Sequence, residues 1–200
     1  MVDSWALSHE IQVTRLKLKY IVGVFVSTPI MYRRCGLDTC GSKRAVFQEA
    51  IDHSRRKNTL RNEILTLPEF QEGKLHQYSH KTFEEIFSSV YKICKPVDGI
   101  GMLTIYDISA AICRYNKINI ERVYIIGNGP KRAISLLGIE PQIQEIGDTF
   151  VRYVEIQELM CALRGKNQPI DGLLRSSKNG DDLENYICAW QRAAPSRLKE

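Results

Sequence analysis

Two glycine pairs, Gly99-Ile100-Gly101 and Gly127-Asn128-Gly129, constrain this chain more than any other feature. Each closes a short apolar stretch and opens a helical pattern, so each reads as a hairpin turn. Glycine lets the chain turn through positive φ, and it puts no side chain between the first N–H groups of the next helix and an approaching anion. The segment 96–139 is therefore the expected organising centre, and a phosphate grip is the chemistry that such turns permit.

The flanking pattern points to helices. Thr82-Phe83-Glu84-Glu85 is a capping-box signature, in which a threonine hydroxyl and a glutamate three residues on satisfy each other's orphan N–H groups. A helix is expected from there to about Ile93, with Phe83, Ile86, Phe87, Val90 and Tyr91 on its apolar face and Pro96 as its stop. Ile105, Ile108 and Ile112 carry the helical pattern past the first glycine pair.

Upstream, residues 8–19 run towards a helix, while the β-branched and aromatic run at 20–26 leaves a short N-terminal strand open. Thr28-Pro29 ends either one, because the residue before proline avoids the α region. Ser42 is a candidate N-cap for a long helix over 43–65, with Val46, Phe47, Ala50, Ile51 and Ser54 on one stripe and Arg55, Arg56 and Lys57 mostly on the other side. Residues 71–79 read as a polar loop. Short helices are expected at 155–163 and 181–193, joined by a polar, glycine-containing linker over 165–180. The fold class expected is thus mainly α, a compact helical domain over 1–164 with a linker and helical appendage over 165–200.

Two hundred residues with 44% apolar content suffice for one core. Between Arg33 and Arg61 eight basic residues face three acidic ones, an excess equal to the +5 of the whole chain. Arg55, Arg56, Lys57 and Arg61 belong to this cluster, which suits a polyanion such as nucleic acid or simply a solvated helix face. The six cysteines are scattered and read as reduced thiols. Without a signal-peptide pattern at residues 1–7, the expected setting is cytoplasmic. The apolar run 20–32 is broken and too short for a bilayer, so no membrane partner is expected.

Val97-Asp98-Gly99-Ile100-Gly101 resembles the turn of the helix-hairpin-helix superfamily, and Gly127-Asn128-Gly129-Pro130-Lys131-Arg132-Ala133 is similar to the glycine-proline-lysine hairpins of structure-specific nucleases and polymerases. Their separation of 28 residues is similar to that in tandem hairpin domains, and the stretch resembles a group of uncharacterised bacterial proteins of this type. The resemblance covers about 84–138. It implies a tandem helix-hairpin-helix unit that binds DNA backbone without reading sequence. Backbone at Gly99, Gly101, Met102, Gly127 and Gly129 would face phosphates, with Lys131 and Arg132 neutralising them. Departures from the pattern are Asp98, Met102-Leu103, Ile105 in place of a small residue, and Asn128 in place of an apolar one. The competing class is a non-catalytic interaction or scaffold protein whose hairpins contact another protein.

Catalysis finds no support in the residues. Where some helix-hairpin-helix glycosylases carry a catalytic lysine this chain has Leu103, and residues 123–128 hold no carboxylate for the partner role. Gly127-x-Gly129 lacks the third glycine of a dinucleotide fingerprint, so no small-molecule cofactor is expected. Cys35, Cys40, His76 and His80 form a two-cysteine, two-histidine set, but the pairs stand far apart and the cysteine spacing is wide for zinc.

Overall fold

In the computed structural model the described residues are 46–165 and 178–193. They fall within one unit, Arg44–Glu200. The architecture is mainly helical with a small three-stranded sheet. The strand left open at 20–26, the helix before it, and Cys35 and Cys40 lie outside the described residues.

The long helix expected over 43–65 is broken. Helix α1, Gln48–His53, stops at Ser54, whose backbone is extended and whose Oγ accepts the Arg56 N–H at 3.1 Å. A serine hydroxyl that bonds two residues ahead offers the chain a turn in place of the helical ladder. Arg55 and Arg56 therefore sit on a turn rather than on the outer face of a helix. Helical structure resumes at Lys57–Thr59 and widens into a π turn over Leu60–Ile64, closed by the Leu65 N–H on the Leu60 carbonyl at 2.9 Å.

The loop expected at 71–79 is also ordered differently, as a 3-10 helix over Glu72–Tyr78. Its three-residue repeat places Leu75 and Tyr78 on one side, and both are buried. The Asn116 amide donates to the Leu75 carbonyl at 3.0 Å, tying this turn to the end of the helix Met102–Asn116.

Helix α2, Phe83–Cys94, begins with the full capping box: Glu85 N–H on Thr82 Oγ1 at 3.3 Å and Thr82 N–H on Glu85 Oε2 at 2.8 Å. It buries Phe83, Ile86, Phe87, Val90 and Cys94 against α3, Met102–Asn116. Helix α3 is the central element, with every residue from Thr104 to Cys113 buried. Phe83 links the layers, stacking on Tyr124 at 4.5 Å between ring centres and meeting Tyr106 edge-on at 5.8 Å.

Strand β1, Arg122–Tyr124, leads into α4, Asn128–Leu137, which ends at Gly138 in the left-handed region, φ 70°. Strands β2, Gln142–Ile146, and β3, Thr149–Glu155, form a hairpin through Gly147-Asp148. The sheet order is β1-β3-β2 with both neighbouring pairs antiparallel, so β1 and β2 run in the same direction on either side of β3 and α4 connects them. Helices α5, Ile156–Gly165, and α6, Gly180–Ala193, follow. Helix α6 packs on α4 and β1. Its first residue requires glycine, because a Cβ on Gly180 would stand 1.8 Å from the Arg122 carbonyl oxygen. No helix of the described residues is long and apolar enough to cross a membrane.

Candidate functional site

The first glycine turn joins two helices, as its pattern implies. Gly99 takes φ 78°, a value that side chains disfavour, and Ile100 tucks into the core. Gly101 is the N-cap of α3 with ordinary extended dihedrals, φ −95° and ψ 172°, and makes no side-chain cap. A strand, not a helix, precedes the second turn. Gly127 is the N-cap of α4, likewise without a side-chain cap. The first N–H groups of both helices therefore lack the acceptor that a capping serine or aspartate would supply.

The two turns are neighbours in space. A Cβ on Gly127 would stand 3.6 Å from Leu103 Cδ1, in the first turn of α3. Arg56 joins them, its side chain lying over Gly99, where a Cβ would come within 2.7 Å of Nε. Its Nη2 pairs with Asp98 Oδ2 at 3.1 Å. The fold thus brings Arg56, the first turn and the start of the second turn to one end. Lys131 and Arg132 are exposed in the first turns of α4, and Arg55, Lys57 and Arg61 are exposed on the segment around Arg56.

The four glycines are held to different requirements. Gly99 answers to its positive φ. Gly129 answers to packing, since a Cβ there would stand 2.5 Å from Cys188 Sγ and 3.5 Å from its Cα on α6. Gly127 is in ordinary van der Waals surroundings. Gly101 is required by neither dihedral nor packing: it is exposed, and no heavy atom would lie within 4 Å of its Cβ.

A second group of polar residues, absent from the sequence-based expectations, lies among α1, α3 and α6. Arg114 bridges Asp181, which also accepts the Tyr106 hydroxyl at 3.1 Å, and Glu49 at 2.6 Å. His53 Nδ1 meets the buried Asp107 Oδ2 at 3.1 Å. Glu184 is 6% exposed. Burial, followed by the charges of Asp181, Asp107 and Glu49, pushes its carboxyl up to about 8. Burial also raises the Glu49 and Asp107 carboxyls, and the hydrogen bond to Asp107 raises the His53 imidazole. Burial works against the charge of Arg114, but Asp181 and Glu49 outweigh it and hold the guanidinium above the usual arginine value. No short motif announces this group, because its members come from three helices distant in the chain.

Elsewhere, an open cleft of about 440 Å³ between α2 and β2 is lined by Glu84, Glu85 and Glu145 with Lys81, a sign of charge that does not suit a phosphate. The thiols of Cys94 and Cys113 are pushed up to about 12, by burial in each case, and stay protonated at neutral pH. His76 is engaged with Tyr115, its Nε2 lying 3.3 Å from the hydroxyl, and His80 is exposed. Among the described residues no three histidine, cysteine or carboxylate side chains are placed to hold a metal ion. No protein-family description, curated protein or solved structure matches the chain.

Proposed function

We propose that this protein binds the phosphate backbone of nucleic acid without reading sequence, through the bare start of α3 at Gly101 and Met102 and the adjoining start of α4. Arg56, Lys131 and Arg132 supply positive charge, with Arg55, Lys57 and Arg61 alongside. In this reading the segment 84–138 acts as a hairpin unit with two unlike turns, one between helices and one between a strand and a helix. The observation that carries it is Gly101, a helix N-cap whose lack of a side chain serves neither turn nor packing. What remains for it to do is leave backbone N–H groups open at the positive end of a helix dipole, where anions are favoured.

The measurement is fluorescence anisotropy of labelled single-stranded, duplex and branched DNA over a salt series. Binding should fall steeply and linearly on a log–log plot, because neutralised phosphates release counterions. Absence of binding to all three at low salt removes the reading. A second reading, docking of another protein, is favoured by Ile143 and Phe150, which are 64% and 70% exposed on β2 and β3. An Ile143→Ser, Phe150→Ser variant that keeps its DNA affinity but loses a co-purifying protein would support that surface as a separate site.

A further inference from the structure

The β2–β3 hairpin leaves a patterned face uncovered. Side chains alternate between the two faces of a strand, and residues paired across a ladder share a face. Ile143 pairs with Arg152 and Glu145 with Phe150, so these four stand on one face as the corners of a rectangle. All four are exposed, whereas Ile146, Val151 and Tyr153 on the opposite face are buried. Ile143 and Phe150 are the two most exposed large apolar side chains among the described residues. Towards β1 the same face closes, for Val154 and its partner Val123 are fully buried. The apolar residues occupy one diagonal of the rectangle and the two opposite charges occupy the other. That arrangement is self-complementary. When two such faces meet about a twofold axis along the apolar diagonal, Ile143 and Phe150 meet their own counterparts, and Glu145 of each copy meets Arg152 of the other. An axis along the charged diagonal would instead set glutamate on glutamate and arginine on arginine.

We propose that this face takes a second copy of the chain, rather than an unlike protein, in a twofold dimer whose β2–β3 hairpins stack outer face on outer face. Burial of Ile143 and Phe150 supplies the attraction, and the two crossed pairs of Glu145 with Arg152 set the axis and oppose the other alignment. An unlike partner has no need of this symmetry. The contact is small, four side chains a copy against the roughly 20–30 residues a side of a standard interface, so the dimer is weak and concentration-dependent. Because the same patch serves both copies, association closes at two and does not propagate. The dimer uses none of the residues assigned to nucleic acid, and it stands or falls independently of that binding.

Sedimentation velocity of the full chain, freed of nucleic acid, over a series from about 1 µM to about 1 mM covers the affinities that so small an interface supports. The weight-average mass should climb from the monomer towards the dimer and stop there. A chain that stays monomeric throughout overturns the proposal and leaves the face to an unlike protein, and growth past the dimer overturns it as well. This series tests the dimer without any variant. Glu145→Arg and Arg152→Glu, both at exposed positions, should each weaken self-association at least about tenfold, because like charges then oppose each other twice. Mixing the two single variants should restore association, since each presents the charge that the other lacks, and so should both changes in one chain. Single variants that associate like the native chain, or a mixture no stronger than its components, contradict the twofold contact.

Discussion

At the first turn Gly99 is fixed by its positive φ and Gly101 by nothing in the fold; at the second, Gly127 sits in ordinary surroundings and Gly129 is fixed by the approach of Cys188. The same residue type thus meets two separate structural demands within one 31-residue span, turning the chain at Gly99 and admitting a neighbouring helix at Gly129, and Gly101 answers to neither. The turn with the better apolar frame holds the unexplained glycine, and the turn with the basic pair holds the glycine that packing explains. A glycine motif by itself does not separate these roles; the surroundings of each missing side chain do.

The comparison can be broken by placing the same small side chain at each position. Gly129→Ala should be the most damaging, costing about 1–3 kcal/mol in urea unfolding as Cys188 is forced aside. Cys188→Ala in the same chain should restore most of the loss, and failure of that rescue would mean that packing on α6 is not what fixes Gly129. Gly99→Ala should cost about 1–2 kcal/mol through its left-handed backbone. Gly101→Ala should cost no more than about 1 kcal/mol, since alanine is a poorer N-cap than glycine while the folded dihedrals suit it and the unfolded chain loses freedom. A larger loss of stability there would give Gly101 a structural role and weaken the functional reading.

The charged side of the comparison is sharpened by Lys131→Ala, Arg132→Ala. If both side chains neutralise phosphates, the log–log salt slope of duplex binding should flatten by about 2, with the stability unchanged to within about 0.5 kcal/mol. An unchanged slope would leave binding to the first turn and Arg56.

Much of the helical frame was legible in the sequence because its signals are local. The capping box at Thr82, the apolar face of Phe83, Ile86, Phe87 and Val90, and the stop near Pro96 all act within one or two turns of chain. Ser54 was harder to read: a single side-chain hydrogen bond to Arg56 divides the helix expected over 43–65 and moves the basic residues onto a turn. The sheet carried a signal in Gly147-Asp148 between Gln142–Ile146 and the alternating Thr149–Glu155. Its five- and seven-residue strands, and the three residues of β1, are stabilised chiefly by one another and by the helices packed on them. The Glu49, Asp107, Arg114, Asp181 and Glu184 junction was not legible, because nothing but tertiary structure brings position 49 to position 184. The approach of Leu103 to Gly127, which brings the two turns together, is of the same kind.

The central claim is that Gly101 keeps a helix start bare for phosphate, and Gly101→Asp tests it most directly. Aspartate is a favoured N-cap and its charge suits the positive end of α3, so the variant should be at least as stable as the native chain, by a few tenths of a kcal/mol or more. The same carboxylate occupies the N–H groups and repels phosphate, so DNA affinity measured by anisotropy at low salt should fall at least about tenfold. A variant that is as stable as the native chain and binds DNA with native affinity would contradict the account.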